Sequence, residues 1–174
     1  VRRSRVMTPY RLLMSYHCFR DVDMHAIRDV DFADIPIEIF ADSGAFSAFT
    51  LDEKLDPGAY IEWAERFEDT IDVFAGPDVI GDPKATAHWT RTMRERIRTK
   101  PVLPTFHIGE EWRYLHEYVE EYNYIALGGL VPFVAETTTL NKWLKGAFSR
   151  IPSSVRAHGF GMTSLGVLMD YPWY

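Results

Sequence analysis

The sequence predicts an α/β chain of the (β/α)₈ TIM-barrel type, incomplete at about six βα units, on three observations. Short apolar runs, mostly bounded by Pro, Gly or Asp, alternate from end to end with stretches whose apolar residues recur at helical spacing. The runs begin near residues 12, 37, 71, 102, 124 and 155, and the intervals of 22 to 34 residues between them fit one βα unit each. The 174 residues, 47% apolar and 25% charged, are enough for one sizeable core and hold six such units, not eight. Strict alternation implies a parallel sheet with helices outside it. With no linker or low-complexity segment to divide the chain, residues 1–174 are expected to form a single partial-barrel domain.

In order, the expected strands are Leu12–His17, Ile37–Ala41, Ile71–Ala75, Val102–Phe106, Tyr124–Leu127 and Val155–His158, each too short for a helix. Between the second and third, Tyr60, Trp63, Ala64 and Phe67 make an amphipathic stripe, entered by Asp56 as N-cap and Pro57 at the first helical position. Ala85, Trp89, Met93 and Ile97 recur every four residues, so Arg91, Arg94, Arg96, Arg98 and Lys100 fall mostly on solvated sides. Leu115, Tyr118, Val119 and Tyr122 form a further stripe. Leu140, Trp143, Leu144 and Ala147 form the last, after the cap-competent Thr137-Thr138-Thr139.

Charge and cysteine usage exclude several classes. The 19 basic and 25 acidic residues give a net charge of −6, so bulk electrostatics would not hold the chain on nucleic acid. Phosphate contacts would have to be local, from Arg2, Arg3, Arg5 and Arg11 or from the Arg91 to Lys100 run. Cys18, the single cysteine, excludes an internal disulfide or a Cys-clustered zinc site, and reads as a small buried residue. A reducing compartment, the cytoplasm, is the expected location. No apolar stretch approaches the roughly 20 residues that cross a bilayer, and no membrane partner is expected. The chain opens at Val1 and closes in Tyr171-Pro172-Trp173-Tyr174, which reads as a fragment truncated at its C-terminus.

Function in parallel α/β proteins gathers at the C-terminal ends of strands. The polar residues of this chain collect there: Asp42-Ser43-Gly44-Ala45-Phe46, Gly76-Pro77-Asp78, His107 with Gly109, Gly128-Gly129-Leu130, and His158-Gly159-Phe160-Gly161. Asp42 reads either as a carboxylate at the barrel mouth or as a cap on the following turn. Of Asp78 and Asp82, the second precedes a proline and reads as a helix cap, which leaves Asp78 for a site. Gly128-Gly129 reads as a turn or as a close approach to a flat ligand or phosphate. Phe46 reads as core or as a stacking surface. His107 and His158 each read as structural when taken alone; if they met His17 and Asp42 around one centre, they would hold a divalent metal. No phosphate-loop or calcium-loop signature is present.

Taken together, Asp42-Ser43-Gly44-Ala45-Phe46, Asp78, Phe106-His107-Ile108-Gly109, Ala126-Leu127-Gly128-Gly129-Leu130 and His158-Gly159-Phe160-Gly161 resemble the tRNA-guanine transglycosylase superfamily, the queuine and archaeosine tRNA-ribosyltransferase-like enzymes. In style the set is closest to the phage and bacterial relatives that insert 7-deazaguanine bases into DNA. The resemblance implies a (β/α)₈ barrel that exchanges guanine for a 7-deazaguanine in DNA or tRNA through a glycosyl-enzyme intermediate, in a homodimer. Breaking the N-glycosidic bond develops cationic character on the sugar, and protons must move on both bases, so two carboxylates are the minimum.

By position, Asp42 resembles the carboxylate beside the reacting bond, a general acid/base. Asp78 resembles the one that accepts two hydrogen bonds from the guanine edge. The resemblance implies ring contacts from the Gly128, Gly129 and Leu130 backbone, a hydrogen bond from His107 to the base carbonyl, a slot between Phe46 and the His158-Gly159 pair, and substrate binding also by Ser43 and Gly44 in the turn after Asp42. A base held there is out of its stack. The family takes its nucleophilic aspartate from the strand after His158-Gly159-Phe160-Gly161, which would begin about where this chain ends; Asp170 precedes that position and is not given the role. No cofactor is expected within the chain, and zinc only if a further C-terminal segment supplied its ligands. Ala45 stands where the tRNA branch commonly has glycine. The rival expectations are a metal-dependent hydrolase using His17, His107, His158 and Asp42, and a non-catalytic partial barrel that binds nucleic acid or a partner chain.

Overall fold

A computed structural model describes residues 8–30 and 35–174; Arg2, Arg3 and Arg5 lie outside the described residues. It is an α/β structure with two parallel sheets. In the first, β1 (Tyr10–Ser15) pairs with β2 (Ile37–Asp42) over six residues, with Ser15 opposite Asp42. β3 (Val73–Ala75) joins the other side of β2, and β4 (Val102–Leu103) joins β3. The second sheet is β5 (Thr105–His107), β6 (Tyr124–Gly128) and β7 (Arg156–Gly159), in that order.

Pro104 explains why the expected fourth strand is split. The Leu103 carbonyl accepts from Gly76 N–H on the β3 side, and the Pro104 carbonyl accepts from Ala126 N–H on the β6 side. One extended stretch therefore faces both sheets, and the ladder breaks where proline has no N–H to give. Other strand ends also shift. β1 ends at Ser15 because residues 16–19 turn into the short helix α1 (Tyr16–Phe19). β3 starts at Val73, since Ile71 N–H still bonds back to the Phe67 carbonyl of the preceding helix end.

Among the described residues, six further helices and a 3₁₀ turn connect the strands, with α8 after β7. α2 (Met24–Arg28) precedes β2, and α3 (Ala45–Thr50) and α4 (Pro57–Arg66) follow it. α5 (Pro83–Arg96) follows β3, α6 (Trp112–Glu121) follows β5, the 3₁₀ turn Val131–Phe133 and α7 (Thr137–Phe148) follow β6, and α8 is Leu165–Asp170. Asp56 and Asp82 cap α4 and α5 through the Ala59 and Ala85 N–H groups, each before a proline whose fixed φ suits the first turn. The threonines 137–139 do not cap α7: Glu136 holds the cap position and all three lie in the first turn. None of the described helices is long and apolar enough to cross a membrane.

The stripe on α4 is buried as spaced, with Tyr60, Trp63, Ala64 and Phe67 all in the core around β1 to β4. A second core gathers Leu115, Tyr118 and Tyr122 of the α6 region with Leu140, Leu144 and Ala147 of α7 against Phe106, Ile125 and Leu127. On α5 the buried face differs from the expected stripe: Thr86, Ala87, Thr90 and Met93 turn inward, and Trp89 is half-buried. The Tyr60 hydroxyl donates to the Ala75 carbonyl at 2.8 Å, tying α4 beneath the end of β3.

Candidate functional site

β2 delivers Asp42 to its C-terminal end, and the chain then turns sharply into α3. Gly44 makes the turn with φ +78°, and a Cβ there would lie 2.6 Å from the His17 Cβ and 2.8 Å from the His17 backbone nitrogen. Only glycine fits this close approach. The Asp42 carboxylate accepts the Ser43 and Gly44 N–H groups, yet burial and the charge of Asp78 outweigh them and hold its pKa above the ordinary carboxylate value. Asp42 thus steadies the turn and also faces a cavity.

Asp78, in the loop between β3 and α5, is held from two sides. Its Oδ2 lies 2.9 Å from His107 Nε2, and its Oδ1 lies 3.3 Å from the Thr86 hydroxyl, which also accepts the Val79 N–H. The opposite nitrogen of His107, Nδ1, lies 3.1 Å from Glu110, whose second oxygen accepts the His107 backbone N–H at 3.0 Å. Gly109, at φ +97°, makes the turn that folds Glu110 back. The ring lies against β6 where only glycine leaves room, because a Cβ on Gly128 would be 2.9 Å from His107 Nε2. The side chains of Asp78, His107 and Glu110 are 13%, 16% and 11% exposed, so their mutual bonds are shielded from water. Burial alone would lower the His107 pKa; the hydrogen bonds to Asp78 and Glu110 more than reverse it, to about 10.

Asp42, Asp78 and His107 border one cavity of about 300 Å³, at the lower end of the range for small-molecule sites, with Glu110 and Thr86 behind its wall. Asp42, Ser43, Asp78, Thr105 and His107 supply its polar wall, with the Gly128-Gly129 backbone. Phe46, Phe49, Ile80, Val131, Pro132 and Phe160 supply apolar surface, and Phe46 and Phe49 are exposed at its rim. The lining combines two carboxylates, aromatic side chains and glycine backbone, a chemistry that suits a flat polar ring.

Several expected site residues stand elsewhere. Leu130 is fully buried and packs in the second core. Gly44 sits behind the wall against His17, and Gly159 lies against Trp173. His158 is not in this cavity. Register explains it: His107 pairs with Gly128 but His158 pairs with Ala126, two residues and about 6.5 Å lower along β6. There its ring packs edge-on to Phe40 and Phe160, and burial pushes its pKa down to about 4. Phe160 and Gly161 line the cavity in its place. His17 faces Glu53 at 3.8 Å. Among the described residues no group of three or more His, Cys, Asp or Glu side chains is placed to hold a metal ion, and His17 and His158 do not line this cavity with Asp42 and His107.

The basic run is engaged locally, Arg91, Arg96 and Lys100 with acidic side chains and Arg94 and Arg98 with backbone carbonyls. Arg91 binds Glu117 and Glu121, Arg96 binds Glu65, Arg94 donates to the Glu121 carbonyl, and Lys100 lies 3.7 Å from Asp72. Cys18, expected in the core, is exposed on the short α1. Glu110 and Thr86 were not singled out by the sequence. The signals were present: an acid three residues after His107 across a glycine, and a threonine eight residues after Asp78 on the capped helix.

The two half-buried histidines, His107 and His158, are expected to bracket the pH of greatest stability. His107, with a folded pKa near 10, stabilises fully below its unfolded value of about 6.5, and that contribution is lost as pH rises through 10. His158, with a folded pKa near 4, works in reverse: stability falls as pH drops from about 6.5 towards 4. Urea denaturation across pH 4 to 10 should give a maximum near neutrality, with the acid limb flattened in His158→Leu and the alkaline limb flattened in His107→Gln. Limbs that persist in both variants would contradict this assignment.

No family model, curated protein or solved structure matches the chain.

Proposed function

We propose that this cavity is the base site of a guanine transglycosylase-type enzyme on an incomplete (β/α)-barrel, exchanging guanine for a 7-deazaguanine in DNA or tRNA. The observation that carries the reading is that Asp42 and Asp78, from successive strand ends, border one cavity together with His107, Gly128, Gly129 and Phe46. Consecutive parallel strands with intervening helices support the barrel.

Each carboxylate has a task that suits its surroundings. An ionised carboxyl has about four acceptor positions, so Asp78 keeps capacity for the N1–H and amino group of guanine while bonded to His107 and Thr86. Asp42, whose pKa burial and the charge of Asp78 raise above the ordinary carboxylate value, is assigned the proton transfers: it gives a proton to the departing base and takes one from the incoming base. The family resemblance gives capture of the sugar to an aspartate after the His158 to Gly161 segment. Among the described residues the carboxylates of the cavity are Asp42 and Asp78, so base recognition and proton transfer are the tasks assigned to this chain. His107 has both ring nitrogens committed to carboxylates, so a direct bond from it to the base carbonyl is dropped from the reading. Phe46 and Phe160 form the slot in place of Phe46 and His158-Gly159.

Equilibrium dialysis with labelled guanine tests the reading. Guanine should be retained, 7-deazaguanine should displace it, and adenine, which has no N1–H to offer Asp78, should not. Retention of adenine as well as guanine, or of neither, would overturn it.

A further inference from the structure

We propose that Glu110 is the positioning residue of the base-reading carboxylate: by gripping His107 at both its backbone N–H and Nδ1, it fixes Nε2 as the donor that holds Asp78 in place. The substrate side of this inference rests on the base site proposed above; the relay itself does not.

Three geometric facts point the same way. Glu110 spends both oxygens on one residue, a bidentate grip that sets the orientation of the His107 ring as well as its position. That ring lies close against the bare backbone of Gly128, where an added Cβ would come within 2.9 Å of Nε2. With Nδ1–H committed to Glu110, the nitrogen facing Asp78 at 2.9 Å is fixed in direction, so Asp78 loses one oxygen's freedom and keeps its outer lone pairs for a ligand. Two flanking carboxylates favour a doubly protonated ring, and the elevated pKa of His107 agrees.

The charged and titratable groups packed around His107 are few. Asp78 faces it from the β3–α5 loop and Glu110 from its own loop. Asp42, at the end of β2, interacts with Asp78. Tyr118 of α6 has a buried hydroxyl that feels the charges of Glu110, Arg91 of α5 and Asp78. In Glu110→Gln the grip on Nδ1 becomes neutral. The ring then loses its second proton at lower pH, and above that pH Nε2 no longer has to donate to Asp78.

Two readouts test the relay. In nitrogen-detected NMR of the wild-type imidazole, both ring nitrogens of His107 should stay protonated from pH 5 to 9, and Glu110→Gln should shift the titration down by at least about one pH unit. In equilibrium dialysis, guanine retention by the wild type should be flat from pH 6 to 9. Retention by Glu110→Gln should fall about tenfold as pH rises through the new His107 titration while a urea denaturation curve at each pH still shows the variant folded, which separates loss of the relay from loss of folding.

A wild-type His107 that titrates near 6.5, or a Glu110→Gln variant with unchanged titration and pH-flat binding, would overturn the proposal. If guanine fails to bind the wild type while His107 titrates as stated, the relay stands and the base site falls. If Glu110→Gln does not fold, the wild-type titration decides the relay by itself.

Discussion

Asp78→Asn is expected to lower guanine retention by about 100-fold, the loss of a bidentate acceptor on the base edge. The amide is nearly the same size as the carboxylate, so the effect comes from charge and donor pattern. Its NH₂ group must face either the His107 Nε2–H, 2.9 Å from the present oxygen, or the donors of guanine, and either choice sets donor against donor. The fold should survive, because His107 keeps its bond to Glu110 and Thr86 keeps its bond to Val79. Equilibrium dialysis beside a urea denaturation curve separates the two quantities. Undiminished retention in a folded variant would remove Asp78 from base recognition.

Gly44→Ala should destabilise the protein by about 2 to 5 kcal/mol, the sum of left-handed strain and overpacking. For a chain of this length that is a fall in Tm of roughly 5–15 °C. Both causes are visible: φ is +78°, and the added methyl carbon would sit within bonding range of nothing and well inside contact distance of His17 and of the Ser15 hydroxyl. Gly81→Ala is the control. Gly81 has φ +85° but nothing within 4 Å of an added Cβ, so it should report the strain alone, about 1 kcal/mol. Equal losses at the two positions would show that close packing at the Asp42 turn contributes nothing.

The sequence was most legible where one local signal had one structural outcome. Asp56-Pro57 and Asp82-Pro83 each cap a helix as read, and the α4 stripe is buried residue for residue. Strand positions were right to within about two residues, but two residues are a full repeat of the pleat, and function is sensitive to that. His158 shows the consequence: it lies on an identified strand end, yet register sets it one layer below His107, among aromatic rings. His107 shows the converse. Its position at a strand end was legible, but its commitment to Asp78 and Glu110 depends on a loop folding back at Gly109 and on the depth at which Gly128 lets the ring settle. Neither has a periodicity to read. Thr86 escaped notice because a buried threonine breaks the apolar stripe by which a helix face is recognised, although its hydroxyl serves the Asp78 loop.

A crystal structure of the chain grown with guanine tests the central claim most directly. One guanine is expected in the cavity between Phe46 and Phe160, its N1–H and amino group on Asp78, with Asp78 still bonded to His107 and Glu110 still gripping the ring. Guanine bound elsewhere, or turned with its carbonyl towards Asp78, would contradict it.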